Sequence, residues 1–118
     1  GPMAAMFNEA LSDMFVQQTK LEQVRQGGDL HLEGEITAYD QLNKSISSDG
    51  YSAMVQLKMT VNVRFTNNTD HEDDFERSFS ATRDFDATQS LDSVQEELVT
   101  QMIKEIVESI FNAAVADW

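Results

Sequence analysis

Between Ala53 and Phe65 every second residue is apolar: Ala53, Val55, Leu57, Met59, Val61, Val63 and Phe65. On the opposite parity stand Gln56, Lys58, Thr60, Asn62 and Arg64. Side chains of a strand alternate between two faces, whereas a helix would scatter these positions around its axis. The stretch is therefore a long strand with one dry face and one wet face. Such a strand belongs to a sheet covered on a single side.

Two further stretches fit the same sheet. From Asp29 to Asp40, Leu30, Leu32, Ile36 and Ala38 share one parity, with Gly34 among them. Asp29, His31, Glu33, Glu35, Thr37 and Tyr39 share the other, which predicts a strand with an acidic wet face. Over 75–85, Phe75, Phe79 and Ala81 point inward; Arg77 shares their parity, so it belongs near an edge, with its stem buried and its head in water. The polar segments 41–50 and 67–74 read as loops, the second closing a hairpin. Residues 20–25 read as a short strand or as connection, and Gln26-Gly27-Gly28 as a turn.

The cover comes from helices. Met6-Phe7, Ala10-Leu11 and Met14-Phe15 are apolar doublets spaced four apart, which predicts a helix over about 4–19. Doublets from Leu98-Val99 to Ala114-Val115 predict a longer one over about 91–116, with Asp92 and Gln95, or Ser93 and Glu96, as a capping box. Adjacent strands joined by short loops pair antiparallel. The expected fold is an α+β two-layer sandwich, with two amphipathic helices packed on one face of a mostly antiparallel sheet.

The doublets of the second helix carry one more consequence. Each step of four overshoots the 3.6-residue turn by about 40°, so over four steps the stripe rotates by roughly 160°. A straight helix cannot press all of it on a flat sheet. Ile110, Phe111, Val115 and Trp118 are expected to form an apolar patch facing a partner.

Totals narrow the function. At 118 residues and 41% hydrophobic, the chain can bury a core as one domain over residues 3–118, with Gly1-Pro2 reading as the scar of a cleaved tag. That scar leaves open a targeting signal or lipid anchor upstream. The absence of cysteine removes disulfides and thiolate chemistry. A net charge of −13 disfavours nucleic acid and anionic membrane surfaces.

Chemistry-bearing clusters are sparse. Asp29, His31 and Glu33 project to one face roughly 7 Å apart, which could hold a weak divalent ion but reads better as a solvated strand face. Asp70-His71-Glu72-Asp73-Asp74 lacks the spacing of a calcium loop and reads as a charged hairpin end. Glu33 and Glu35 share a face, yet nothing around them would raise either pKa, as acid catalysis needs. No nucleophile elbow, P-loop or dinucleotide motif is present, and no cofactor is called for. Asn43-Lys44-Ser45 and Asn67-Asn68-Thr69 match glycosylation sequons in expected loops. Lys58 and Arg64 are cations on a structured face that could meet a phosphate; the plainer reading is that they neutralise carboxylates such as Glu33 and Glu35.

The stretches "GDLHLEGEITAYD", "VRFTNNTDHEDDFERSFS", "IFNAAVADW" and "MFNEALSDMF" together resemble the LptE family of lipopolysaccharide-assembly proteins, in its Bacteroidetes-type form, over residues 6–118. The resemblance implies a non-enzymatic outer-membrane lipoprotein facing the periplasm, tethered through an N-terminal lipidated cysteine. Its implied partner is LptD, the outer-membrane β-barrel it plugs, and lipopolysaccharide is a further implied contact. The lipobox cysteine and the strand that precedes the first helix in that family are not in this sequence, and no residue matches a motif that would fix a lipopolysaccharide site. The competing readings are a periplasmic small-ligand-binding module, which would need an internal cavity, and an adaptor for another envelope partner.

Overall fold

The computed structural model describes residues 2–18, 30–46, 53–68 and 71–115. In chain order these form α1 (Pro2–Gln18), β1 (Leu30–Ile46), β2 (Ala53–Asn67), a single 3-10 turn (His71–Asp73), β3 (Phe75–Asp86) and α2 (Leu91–Val115). The sheet has three strands in the order β1-β2-β3, and both pairings are antiparallel. Both helices lie on one face, α1 over β1 and α2 over β3 and β2, and they touch each other. This is the expected α+β sandwich. The segments read as a turn or connection at 20–28, and residues 47–50, lie outside the described residues.

β2 behaves as its alternation requires. Val55, Leu57, Met59, Val61, Val63 and Phe65 are buried, while Lys58 and Arg64 are exposed. Their dry face meets Met102, Ile106 and Ile110 of α2, none of them more than 1% exposed. Each such side chain contributes about 1.5–3 kcal/mol by leaving water. On α1, Phe7 and Leu11 complete this core, and Met3, Ala10, Met14 and Phe15 pack around it.

β1 departs from the sequence reading in two places. First, it continues through Gln41–Ile46, which polarity marked as loop. Gln41 pairs with Leu57, Leu42 with Gln56, Asn43 with Val55 and Ile46 with Ala53. The backbone of β2 needs partners along its whole length. Gln41, Leu42 and Asn43 are exposed at this end of an edge strand, so their composition resembles a loop. Asn43 of one sequon thus lies in a strand, and Asn67 of the other is the buried last residue of β2.

Second, Ile36 pairs with Val61 and Ala38 with Thr60, so Thr37 is one residue too many for β2. The resulting bulge reverses the parity beyond it. Tyr39 therefore lands opposite Met59 on the dry face and packs against the core, and Ala38 lands opposite Thr60 on the wet one. The Thr37 hydroxyl donates to the Thr60 carbonyl at 3.3 Å.

α2 begins differently as well. Ser90 is its cap: the Ser93 amide donates to the Ser90 hydroxyl at 3.3 Å, and the Ser93 hydroxyl donates to the Ser90 carbonyl at 2.7 Å. This side chain accepts from the third helical amide, as an N-cap does. Gln95, expected in a capping box, instead reaches β1: its Nε2 donates to the Tyr39 hydroxyl at 3.1 Å.

Candidate functional site

Three surfaces carry the residues singled out by the sequence. The first is the wet face of the sheet. Pairing across it aligns Glu33, Arg64 and Glu76 in one row, Glu35, Asn62 and Ser78 in the next, and Asp40, Lys58 and Thr82 in another. Alternation fixes this face as polar, because the same residues' neighbours are consumed by the core.

Within the first row, Arg64 turns toward β3. Its Nε and Nη2 both donate to Glu76 Oε2, at 3.0 and 2.8 Å. Glu33 turns toward His31, whose Nε2 lies 2.8 Å from Glu33 Oε1. The hydrogen bond from His31, then the charge of His31, and more weakly Arg64, hold the Glu33 carboxyl below its ordinary value. A general acid needs the opposite shift. The cation-neutralisation reading thus holds for Arg64, with Glu76 as its main partner rather than Glu33 or Glu35. Lys58 is exposed and stands in register with Asp40. Asp29 lies outside the described residues; among those described, no group of three histidine or acidic side chains could hold a metal ion.

The second surface is the hairpin end between β2 and β3. Asp74 Oδ1 accepts the Asn67 amide at 2.6 Å, and Asp74 Oδ2 lies 3.1 Å from His71 Nδ1. The Asn67 amide bond is the first cause that lowers the Asp74 pKa, with His71 a lesser one. The acidic cluster is therefore organised to close the hairpin. Asp70 lies outside the described residues.

The third surface is formed by the helices. A half-open groove of about 260 Å³ runs between them, lined by Met6, Ala10, Asp13, Met14, Thr100, Ile103, Lys104 and Val107. Further along α2, Ile110 has no exposure and belongs to the core, not to an outward patch. Phe111 is half-buried, with its ring edge-on to Phe15 at 5.2 Å between centroids. Here α1 packs beside α2, so the apolar side of α2 meets α1 as well as the sheet. The Val115 side chain and Trp118 lie outside the described residues.

One residue the sequence reading passed over is Arg83. It shares the dry-face parity of β3, opposite Leu57, and reaches up to α2. Its Nε donates to Gln101 at 3.1 Å and its Nη1 to Glu105 at 2.9 Å. The signal available was Arg83 on the apolar parity, the same signal that marked Arg77. Arg77 lies over the Phe75 and Phe79 rings, at 5.2 and 5.9 Å from their centroids, on the exposed edge where it was expected.

This arrangement has relatives among solved structures. A protein from Caulobacter crescentus CB15 assigned as a lipoprotein superposes with a TM-score of 0.61 and 13% identity, over 98% of this chain and 83% of that one. A minor lipoprotein from Acinetobacter baumannii superposes with a TM-score of 0.60 and 14% identity, over 94% of this chain and 83% of that one. At these identities the likeness is one of fold. No curated protein sequence matches the chain. The family profile described as LptE, lipopolysaccharide-assembly, matches residues 1–114. With a match over nearly the whole sequence, on a fold of two helices over an antiparallel sheet, this chain belongs to the LptE family of lipopolysaccharide-assembly proteins.

Proposed function

We propose that this protein is a non-enzymatic lipopolysaccharide-assembly component of the outer membrane. In this reading it is held by a lipid anchor on the periplasmic face and seated as a plug in an LptD-type β-barrel. The observation that carries the reading is the family match across residues 1–114. Physical features support it. Barrel lumens are polar, and the wet sheet face offers polar rows from Glu33 to Asp40. The space between helices and sheet is filled by Met59, Val61, Val63, Met102 and Ile110, all without exposure. A carrier would need that space as a cavity. The lowered Glu33 pKa argues against acid catalysis at its carboxylate pair with Glu35.

Within this function, Lys58 and Arg64 are the proposed contacts for a lipopolysaccharide phosphate, with Lys58 the better placed because Glu76 holds Arg64. The proposed partner-facing apolar surface is the C-terminal third of α2, at Phe111 and Val115, together with Trp118, which follows the helix in the sequence. The test is a mild-detergent pull-down of the native protein, combined with its depletion in cells. The reading expects an outer-membrane barrel in the eluate and reduced surface lipopolysaccharide. No barrel together with unchanged lipopolysaccharide would reject it in favour of a ligand-binding module or adaptor.

A further inference from the structure

The chain has six methionines and no cysteine, so thioether sulfur is the only sulfur an oxidant can meet. The fold grades these sulfurs by access. Met59 and Met102 have no exposure. Met3, Met14 and Met54 are half-buried, and Met6 is 37% exposed. Met6 and Met14 belong to one structure, the half-open groove between the helices. With Ala10 they are spaced four apart on α1, in one row that faces Ile103 and Val107 of α2. The small Ala10 between them leaves the room. A peroxide molecule is little larger than a water, which takes about 30 Å³ in the liquid. The groove, at about 260 Å³, admits it to both sulfurs.

We infer that Met6 and Met14 form a reversible oxidation site for peroxides, and that oxygen on Met14 parts α1 from α2. In the reaction a thioether lone pair attacks one peroxide oxygen. The S–O bond forms as the O–O bond breaks, and the departing hydroxide takes the proton of the transferred oxygen and leaves as water. Sulfur gives up two electrons and peroxide receives them, so no further reactant is needed. Met6 reacts first, since its sulfoxide oxygen can stay in water. Met14 reacts at a structural cost, because it packs against the core beside Ile103 and Val107, both 2% exposed. A sulfoxide is a strong acceptor, and a buried acceptor without a donor is destabilising. Of the donors that line the groove, the Thr100 hydroxyl already donates to the Glu96 carbonyl at 2.8 Å, and Lys104 is exposed with its ammonium in water. Water must therefore enter to satisfy the new oxygen, and it enters along the seam between the helices. The inference stands apart from the barrel reading, since it rests on the helix face and on chemistry that needs no partner protein.

The test treats the whole protein with rising hydrogen peroxide, locates added oxygen by fragment mass spectrometry, and follows amide hydrogen exchange. Met6 is expected to convert first and Met14 next, with Met59 and Met102 unreacted. As Met14 converts, exchange in residues 10–18 is expected to speed on the order of tenfold while β2 keeps its protection. The two methionine sulfoxide reductases, one for each sulfoxide epimer, should restore the slow exchange. Met14→Leu keeps an apolar side chain of similar volume without the thioether. Treated alike, it should oxidise at Met6 and keep α1 exchange slow. Conversion of Met3 or Met54 ahead of Met6, unchanged α1 exchange with Met14 fully oxidised, or equal acceleration in Met14→Leu would each overturn the inference.

Discussion

The ring of Phe7 rests on the bare backbone of Gly34: a methyl group added to that glycine would stand 2.7 Å from Phe7 Cε1. Phe7 is 1% exposed and anchors α1 over β1. The glycine is thus required by close approach and not by an unusual backbone conformation. Gly34→Ala should cost about 1–3 kcal/mol through overpacking. Phe7→Leu, which withdraws the ring edge, should be less harmful in the Gly34→Ala background than in the wild type. A double-mutant cycle by urea unfolding measures this; strictly additive losses would show that the contact is not the cause.

The bond from Gln95 to the Tyr39 hydroxyl spans the molecule from α2 to β1 and exists only because Thr37 bulges out. Tyr39→Phe should lose about 0.5–1.5 kcal/mol, the net worth of one such bond. Deleting Thr37 removes the extra residue and joins Ile36 directly to Ala38, so Ala38 stays opposite Thr60 and Tyr39 opposite Met59. The deletion loses the Thr37 hydroxyl bond to Thr60 but keeps the bond to Gln95, so its melting temperature should lie at or above that of Tyr39→Phe. A deletion markedly worse than the point variant would mean that Thr37 is not a simple insertion in the ladder.

These residues also mark what sequence could reveal. Period-two alternation exposed β2 completely because nothing interrupts it between Ala53 and Phe65. The same rule misassigned Ala38 and Tyr39, since one inserted residue reverses parity without altering composition. Gln41–Asn43 looked like loop because an exposed edge needs no apolar residues, although it pairs in register with Val55–Leu57 of β2. The surface was legible in sign but not in partner choice: two cations facing carboxylates could be read, but not that Arg64 would turn to Glu76 on β3. The spacing of the α2 doublets placed Ile110 in an outward patch, yet it lies inside, because spacing along one helix does not say where the second helix and the sheet cover it.

Acid should loosen the hairpin end. The Asn67 amide lowers the folded pKa of Asp74, so its contribution is fully present above the unfolded carboxylate value of about 3.9. It is lost as pH falls through the lowered folded value. Asp74→Asn should therefore reduce the melting temperature at pH 7, and the gap to wild type should close toward pH 2. Glu33 and Asp86, also lowered, keep part of the acid slope in the variant. A gap that stays constant with pH would show that the Asp74 charge is not involved.

The C-terminal halves of the two helices meet in the edge-on pair of Phe15 and Phe111, at 5.2 Å and 66°. Val16, next to Phe15, is 48% exposed, and the groove between the helices stays half-open along Met6, Ala10 and Met14. Removing the Phe111 ring takes away both buried area and the ring pairing, about 1–3 kcal/mol for a half-buried site. The loss should be local before it is global, because Met102, Ile106 and Ile110 also bury α2 against the dry face of the sheet. Phe111→Ala is therefore expected to speed hydrogen exchange in the C-terminal half of α1 while β2 amides keep their protection. Phe111→Leu, which retains bulk but not the aromatic edge, should fall between. If α1 exchange is unchanged in both variants, Phe111 does not secure α1. Its half-exposed ring would then be free for the partner surface proposed at that end of α2.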